Sequence, residues 1–464
     1  MATKERKVWV CRECGWTGPQ ELGQCPSCEA WASLEESVVA PANKDGKRYR
    51  SFLETTNPTE IGNIVSEQTG RLTLPYPELN RVFGGGVVLG STILLGGEPG
   101  IGKSTLLLQI ADSFVQEKMT VVYGAGEESP EQIKIRADRL RLAGAQLLVV
   151  PETDTRSLLA HLDQISPQIV IIDSIQTLHI EGIASSPGSV AQVRESASEL
   201  TRWARANNAA LFLAGHVTKD GTIAGPRVLE HIVDVVLYLE GETMSGFRLL
   251  RGEKNRFGST QELALLKMGE LGLEEVADPS QVMLSERNQG GVGSVVVPIL
   301  EGSRSIMVEI QALVSPTSLA VPRRMATGVD LNRVLLISAV LGRRLNISLS
   351  DQDILVNIPG GLRVADPGAD LGISIAVLSN IYEYAVTEDV FFIGEVGLSG
   401  EIRRVGRLGD RIREGERLGF KSAVVPRGTL SEMVMKPAIN LVEVSTLWNV
   451  MEYLGLQKTR AKKQ

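Results

Sequence analysis

Residues 96–105 combine the residue types that bind a nucleoside triphosphate. They have the sequence GGEPGIGKST, and from Gly97 to Ser104 they match the phosphate-loop pattern G-x-x-x-x-G-K-S. Backbone N–H groups of the loop can face one anion, Lys103 can reach the β- and γ-phosphates, and the Ser104 hydroxyl can hold Mg²⁺. We therefore expect ATP to be bound by Gly97, Glu98, Pro99, Gly100, Ile101, Gly102, Lys103, Ser104 and Thr105.

The segments on either side of this loop fit the architecture that the motif requires. Residues 91–95 (STILL) have the composition of a buried strand, and residues 104–114 continue with the apolar spacing of a helix. The alternative is a glycine-rich turn that contains a lysine by chance. The order of strand, loop and helix disfavours that alternative.

Two acidic positions follow apolar runs and could complete the chemistry. Residues 169–173 (IVIID) predict a strand that ends in Asp173, where a phosphate-loop enzyme needs an acid for Mg²⁺ and its waters. Residues 123–129 (YGAGEES) end another strand in two glutamates, and a carboxylate beside the γ-phosphate can align and deprotonate water. We assign the general-base role to Glu127. The alternative is that Glu127 or Glu128 only caps the helix that follows.

All four cysteines lie within the first 28 residues, as two pairs with two residues between the members of each pair. They are Cys11, Cys14, Cys25 and Cys28. Two such pairs can place four thiolates around one Zn²⁺, whereas a redox pair or disulfides are less consistent with a chain that has no other cysteine. The module is too short for its own core, so zinc would largely fold it. A structural, partner-binding or nucleic-acid-binding role all remain open.

Length and composition narrow the class of protein. The 464 residues allow two or three domains, since single cores rarely exceed about 250 residues. Aromatic residues are only 5% and glycines number 47, which favours nucleotide-binding α/β domains over a β-sandwich. The formal net charge of -7 leaves any nucleic acid to local basic patches. Without an apolar stretch of about 18 residues or a secretion signal, we expect a cytoplasmic protein with no membrane partner.

Apolar runs alternate with helical segments beyond residue 63, which predicts a largely parallel sheet with crossover helices. The expected core strands are residues 91–95, 120–123, 146–150, 168–173, 210–215 and 235–239, followed by a hairpin at 247–251 and 262–268. The expected domains are a zinc module at 1–34, a linker at 35–63, an ATP-binding core at 64–272, a second α/β domain at 273–455 and a basic tail at 456–464.

Three runs resemble the bacterial RadA (Sms) family of DNA repair and recombination proteins. They are residues 126–133 (GEESPEQI), 216–240 (HVTKDGTIAGPRVLEHIVDVVLYLE) and above all 254–258 (KNRFG). The resemblance runs the whole length and includes the four-cysteine motif and a C-terminal domain similar to that of Lon proteases. It implies a RecA-type P-loop ATPase core of α/β class, assembly as a hexameric ring similar to replicative helicases, and a part in branch migration of recombination intermediates.

The resemblance also suggests roles for charged residues outside the loop. Lys254 and Arg256 are expected on a strand at the far edge of the core, from which they could reach a neighbour's γ-phosphate. Two solvated charges on an edge strand or a DNA contact are the alternatives. His216 stands where RecA-type proteins carry a γ-phosphate sensor, although an ordinary loop histidine would look the same. Lys219 and Arg227 belong to a glycine-rich loop that faces DNA in RecA-like proteins or is simply solvated.

The C-terminal domain lacks the catalytic groups of Lon-type proteases at the aligned positions. Asp370 stands at the position of the serine and Gly409 at that of the lysine. Acyl transfer by that mechanism therefore has no route, and we expect a proteolytically inactive scaffold for assembly and DNA. A dense basic segment suits duplex phosphates, with ion pairing on a helix face as the alternative. Its members are Arg403, Arg404, Arg407, Arg411, Arg413 and Arg417.

These observations predict a DNA-dependent ATPase that uses ATP, Mg²⁺ and Zn²⁺ and moves as a homo-hexameric ring on single-stranded DNA. Its expected partners are single-stranded and branched DNA and a recombinase of the RecA type. Two alternatives share the nucleotide site. One is a nucleotide-switched scaffold, and the other is a RecA-like filament protein that stabilises recombination intermediates without translocating.

Overall fold

The computed structural model describes most of residues 70–456 and part of the N-terminal module. Positions within 70–456 that lie outside the description are 144–145, 184, 217–225, 242–245, 289, 320 and 434–435. The described part of the module comprises residues 6–11, 17–18, 20, 22–26, 30–31 and 33–39. The chain forms two compact units, Met1–Glu275 and Val276–Gln464.

The N-terminal module contains a three-stranded antiparallel sheet. Strand β1 (Arg6–Cys11) lies between β2 (Thr17–Gly18) and β3 (Leu34–Val39). Strand β3 pairs along the whole of β1, so regular structure continues into the segment that we expected to be linker from residue 35 onward. Backbone pairing makes this segment a strand, and a polar composition does not report such pairing.

The rest of the first unit is an α/β sandwich. Its strands are β4 (Arg71–Leu72), β5 (Val87–Val88), β6 (Thr92–Gly97), β7 (Val121–Ala125), β8 (Leu148–Val150), β9 (Ile169–Asp173), β10 (Ala210–His216), β11 (Val235–Glu240), β12 (Phe247–Asn255), β13 (Leu263–Gly269) and β14 (Gly272–Glu275). Its helices are α1 (Pro77–Val82), α2 (Lys103–Gln116), α3 (Pro130–Arg139), α4 (Thr155–Ile165), α5 (Val190–Ala206) and α6 (Pro226–Glu230).

Nine of these strands form one sheet in the order β14-β13-β12-β11-β6-β10-β9-β7-β8. The six strands from β11 to β8 are parallel, and β12, β13 and β14 add an antiparallel side. Ile93 and Leu95 pack with helix α2 on one face, whereas Leu94 packs with helix α5 on the other. Because both faces are covered, the strands have nearly continuous apolar sequences, which is why the sequence predicted the α/β fold correctly.

The second unit has its own mixed sheet of seven strands in the order β17-β18-β16-β15-β19-β22-β23. Its strands are β15 (Ser294–Glu301), β16 (Arg304–Pro316), β17 (Arg324–Thr327), β18 (Gln352–Asn357), β19 (Val390–Phe392), β20 (Glu395–Val396), β21 (Ile402–Arg403), β22 (Ser422–Pro426) and β23 (Asn440–Val444). Its helices are α7 (Pro279–Leu284), α8 (Leu331–Arg344), α9 (Asp370–Ile381), α10 (Leu408–Arg417), α11 (Thr429–Glu432) and α12 (Leu447–Tyr453). Among the described residues of the whole chain, no helix is long and apolar enough to cross a membrane.

Candidate functional site

The phosphate-loop residues connect the end of β6 to the start of α2, at the carboxyl edge of the parallel strands. Two glycines allow this close turn. A Cβ on Gly97 would lie 2.6 Å from the carbonyl oxygen of Leu239, and Gly102 has a left-handed φ of 118°. The loop therefore places its backbone at the N-terminus of a 14-residue helix, where N–H groups and the helix dipole favour an anion such as phosphate.

Three of the predicted site residues form one hydrogen-bonded chain beside the loop. The Lys103 amine donates to the carbonyl oxygens of Gly97 (2.8 Å) and Glu98 (2.9 Å) and lies 3.2 Å from Nδ1 of His216. Nε2 of the same histidine lies 3.1 Å from Oε1 of Glu127. A neutral imidazole that accepts at Nδ1 and donates at Nε2 satisfies both contacts.

The two charged ends of this chain have shifted pKa values. Burial lowers the pKa of Lys103, although the charges of Asp173 and Glu127 oppose that change. The hydrogen bond from His216 lowers the pKa of Glu127 to about 2, with a further contribution from the Ser174 hydroxyl at 2.5 Å and an opposing one from burial. Glu127 is therefore a carboxylate throughout the neutral range, held by two donors.

The other two acids near the loop differ in their partners. Asp173, at the end of β9, accepts a hydrogen bond of 2.6 Å at Oδ2 from the hydroxyl of Tyr123, which is almost completely buried. Burial and the neighbouring Asp173 raise the pKa of Tyr123 well above its usual value, so the hydroxyl stays a donor. Glu128 instead forms an ion pair with Arg136 of α3. Of the two adjacent glutamates, Glu127 is thus the one that contacts the chain from His216 to Lys103.

Tyr123 and Ser174 are site residues that the sequence did not predict, and they orient the acids Asp173 and Glu127 respectively. Each is a single polar residue in or beside an apolar strand sequence. Tyr123 has the only side-chain hydroxyl in the five residues of β7, and Ser174 directly follows Asp173. A polar group on a fully buried strand needs a partner, and the carboxyl edge of the sheet offers acids as partners.

Lys254 and Arg256 lie at the opposite edge of this sheet. Strand β12 runs antiparallel to β11, so its last residue, Asn255, pairs with the first residue of β11, Val235. The Lys254 amine donates to the carbonyl oxygens of Glu230 (2.5 Å) and Val233 (2.8 Å). One expectation is corrected here, because β12 is not an edge strand: it lies between β11 and β13, and Arg256 follows its end.

Arg256 is anchored by a buried carboxylate that the sequence did not reveal. Its guanidinium donates at 3.0 Å to Oδ1 of Asp234, and the guanidinium of Arg205 donates to the same oxygen at 2.9 Å. The other oxygen of Asp234 accepts the backbone N–H of Thr92, the first residue of β6, at 3.1 Å. These contacts hold Arg256 at the amino end of β6 beside Thr92. Thr92 lies five residues before Gly97, which begins the phosphate loop.

Two predicted site features fall partly or wholly outside the described residues. Lys219 lies outside them, and for Arg227 only the backbone is described, as the second residue of α6. Cys14 and Cys28 also lie outside. Of the expected zinc ligands, the structure places Cys11 at the end of β1, and it buries the side chains of Cys11 and Cys25. Buried thiols in this small module fit the donor set that zinc prefers.

The basic segment of the second unit divides into exposed and buried members. Arg403, Arg404 and Arg407 are exposed, and Arg403 and Arg407 form ion pairs with Glu401 and Asp410. Arg413 and Arg417, also exposed, form ion pairs with Asp410 and Asp278. These pairs agree with the helix-face alternative for part of the segment. The five arginines of this segment other than Arg411 are nevertheless exposed to solvent.

Arg411 corrects the expectation of a DNA contact. Its side chain is 2% exposed, forms an ion pair of 2.6 Å with Asp366 and donates to the carbonyl oxygen of Pro298 at 2.7 Å. A guanidinium enclosed in this way cannot reach a duplex phosphate. The amphipathic helix α10 turns Arg411 toward the sheet together with Ile412, and a count of basic residues along the sequence does not distinguish its two faces.

Asp370 also has a structural environment of its own. Its carboxylate is buried at the start of α9 and receives two hydrogen bonds of 2.5 Å from Arg333 and one of 3.1 Å from the backbone N–H of Val396. Burial raises the pKa of Asp370, and the bonds from Arg333 oppose that rise. The position that aligns with a protease serine thus holds a buried carboxylate paired with the partly exposed Arg333. Gly409, aligned with the lysine, lies in the first turn of α10.

Comparison with known proteins gives consistent relatives over almost the full length. The DNA repair protein RadA of Halalkalibacterium halodurans is 46% identical over 453 residues, which cover 97% of this chain and 99% of that protein. The proteins of the same name from Bacillus subtilis and Listeria monocytogenes are each 44% identical over 453 residues, which cover 97% of this chain and 98% and 99% of those proteins. Family models match as a rubredoxin metal binding domain (9–36), an AAA domain (57–222) and the subunit ChlI of Mg-chelatase (333–429).

Proposed function

The chain belongs to the RadA family of DNA repair proteins, and from this membership we propose that it is a DNA-dependent ATPase that drives branch migration on single-stranded DNA. The observation that supports the proposal most is a separation of charged groups on one sheet. Lys103, His216 and Glu127 lie together at its carboxyl edge, whereas Lys254 and Arg256 lie at its amino edge. A subunit built in this way suits head-to-tail assembly into a ring.

At the carboxyl edge, the chain's own residues would bind the nucleotide and orient a water molecule. The phosphate-loop backbone and Lys103 would hold the phosphates, and Ser104 and Asp173 would hold Mg²⁺, which neutralises phosphate charge when it is bound. Tyr123 fixes the orientation of the Asp173 carboxylate. Glu127 aligns the attacking water and accepts its proton.

His216 supplies a link between the nucleotide and DNA. While Nε2 of His216 donates to Glu127, the pKa of Glu127 stays near 2 and the carboxylate is a weak base. When the imidazole turns that N–H toward a terminal phosphate, Glu127 loses the hydrogen bond that lowers its pKa most and becomes a stronger base. His216 directly precedes, in sequence, the segment that contains Lys219 and Arg227, which is why we propose that DNA binding and this imidazole movement are coupled.

At the amino edge, Lys254 and Arg256 act on the nucleotide of a neighbouring subunit. The five residue steps from Thr92 to Gly97 span about 16 Å at about 3.3 Å per residue, and Arg256 is anchored beside Thr92 through Asp234. A guanidinium in that position is too far from its own phosphate loop. In a homo-hexameric ring, each amino edge would face the carboxyl edge of the next subunit, so hydrolysis depends on assembly.

The remaining modules would guide the motor rather than supply its chemistry. The four-cysteine module binds Zn²⁺ and stabilises itself through the metal. The C-terminal domain is a proteolytically inactive scaffold, since a buried Asp370 and Gly409 occupy the aligned catalytic positions. Its exposed residues Arg403, Arg404 and Arg407 contact DNA. Branched DNA and a RecA-type recombinase are the proposed partners in the cytoplasm.

Tyr123→Phe tests the proposed role of Asp173 in holding Mg²⁺. Loss of the 2.6 Å hydrogen bond frees the carboxylate to rotate, and removal of such an orienting partner typically weakens metal binding by about 10-fold or more. We expect the Mg²⁺ concentration for half-maximal ATP hydrolysis to rise roughly 10-fold, with the rate at saturating Mg²⁺ much less affected. Tyr453→Phe, in the second unit, serves as the matched control. An unchanged Mg²⁺ dependence in Tyr123→Phe would show that Asp173 needs no such support.

The DNA dependence of hydrolysis tests the proposed function itself. We expect steady-state ATP hydrolysis to rise several-fold with single-stranded DNA. It should disappear in Lys103→Ala, which lacks the phosphate-loop cation, so any hydrolysis that remains in this variant comes from a contaminating enzyme. The same preparations are then given branched DNA with and without a RecA-type recombinase, and movement of the branch point is followed. Hydrolysis that ignores DNA, together with branch points that do not move, would contradict the motor and favour the nucleotide-switched scaffold.

A further inference from the structure

We infer that Arg205 is a third cation of the surface that acts on the neighbouring subunit's nucleotide, beside Lys254 and Arg256. This inference rests on the proposed function and adds a residue to it from a different element, helix α5. No sequence motif includes Arg205. The structure brings it to the same carboxylate as Arg256.

The two arginines share a single oxygen atom. Oδ1 of Asp234 accepts from Arg205 at 2.9 Å and from Arg256 at 3.0 Å, so the two guanidinium groups lie side by side. The Asp234 side chain is only 7% exposed, whereas those of Arg205 and Arg256 are 48% and 52% exposed. A buried acid thus holds two cations whose outer N–H groups remain within reach of a ligand. This arrangement suits an anion that approaches from outside the subunit.

The charges of this surface leave room for such an anion. Burial lowers the pKa of Lys254, and the positive charges of Arg256 and Arg205 contribute to that change, while Asp234 and Glu230 oppose it. The three cations therefore lie close to one another, with the carboxylates of Asp234 and Glu230 beside them. A phosphate oxygen placed against both guanidinium groups would relieve the repulsion between them, since arginine forks bind phosphate with two parallel hydrogen bonds.

The position of this surface favours a nucleotide phosphate over DNA. Helix α5 begins after β9 at the carboxyl edge and returns to the amino edge, where Arg205 is its second-last residue. The segment proposed to face DNA follows β10, and His216, the last residue of β10, lies at the carboxyl edge beside Glu127. Head-to-tail packing brings the amino edge of one subunit against the phosphate loop of the next. Arg205 is then delivered with Arg256 to the terminal phosphates of the neighbour.

A structural role for Arg205 is the competing explanation. A cation in the last turn of a helix interacts favourably with the helix dipole, and Arg205 could serve that purpose alone. Such a role would act within its own subunit. Whether the arginine works in its own subunit or in the neighbour is therefore the property that an experiment must separate.

Mixed assemblies make that separation. Arg205→Ala subunits keep their own phosphate loop but lack the third cation, whereas Lys103→Ala subunits keep the cations but lack a working nucleotide site. Alone, we expect Arg205→Ala to hydrolyse ATP about 10- to 100-fold more slowly than the wild type, the loss expected for one charge-assisted hydrogen bond. In a 1:1 mixture with Lys103→Ala, activity should recover to several times that of either variant. Arg202→Ala, an exposed arginine three residues earlier on α5, should match the wild type.

Each result decides the inference. Recovery in the Arg205→Ala mixture supports it, whereas wild-type activity of Arg205→Ala alone, or loss without recovery on mixing, overturns it. Light scattering and ATP binding are measured on every variant. If neither Arg205→Ala nor Arg205→Lys assembles, the inference is also overturned, because Arg205 would then be an assembly contact. The same mixture made with Arg256→Ala distinguishes failure of the inference about Arg205 from failure of the proposed action across subunits. Recovery there but not with Arg205→Ala removes only this inference, and no recovery in either removes the proposed action across subunits.

Discussion

Arg256→Ala is expected to reduce ATP hydrolysis by about 10³- to 10⁵-fold while ATP binding and assembly persist, the range measured for arginine fingers supplied in trans. The guanidinium is anchored about 16 Å along β6 from the phosphate loop of its own subunit, so its removal should leave the local site unchanged. Hydrolysis, nucleotide affinity and light scattering are measured on the same preparations, with and without single-stranded DNA.

The matched control for this variant is Lys134→Ala. Lys134 is an exposed cation on α3 that pairs with Asp138 one turn later, and its loss removes the same charge from the surface. Its hydrolysis rate should stay within a factor of about two, since exposed pairs of this kind are weak. An assembled Arg256→Ala protein with a rate close to that of Lys134→Ala would contradict action across subunits and leave Arg256 as a structural partner of Asp234.

The parts of this site that the sequence predicted are those encoded over short distances. The phosphate loop, Lys103 and Ser104 form one contiguous motif, and Asp173 and Glu127 end apolar runs that can be recognised as strands. Because parallel strands end at the same edge of a sheet, the position of each acid followed from the fold class alone. The location of such residues can be predicted without knowing which strand pairs with which.

The parts that the sequence did not predict depend on contacts between distant segments. Asp234 contacts both Arg205, 29 residues before it, and Arg256, 22 residues after it. No periodicity along the chain predicts such contacts. Arg411 shows the converse case. It belongs to a dense basic run but packs inward against Asp366, because the face of α10 that meets the sheet includes its position. Charge counted along a sequence predicts surface charge only when helix faces are known.

Glu127→Gln should lower ATP hydrolysis by about 10²- to 10⁴-fold, the usual contribution of a general base, without weakening ATP binding. The amide keeps the shape of the side chain and can still contact His216 and Ser174, but it cannot accept a proton from water. Single-turnover hydrolysis and equilibrium binding of ATP together measure the two effects. Loss of binding in parallel with hydrolysis would instead make Glu127 a structural member of the loop.

Glu128→Gln provides the control that the sequence could not choose. The two glutamates are adjacent, yet Glu128 forms an ion pair with Arg136 on α3 whereas Glu127 joins the chain from His216 to Lys103. Glu128→Gln should therefore lower the free energy of unfolding by about 1 kcal/mol at most and leave the rate of hydrolysis nearly unchanged. If Glu128→Gln instead abolished hydrolysis and Glu127→Gln did not, the base would be Glu128. The hydrogen bonds of His216 would then serve only to position Lys103 and Glu127.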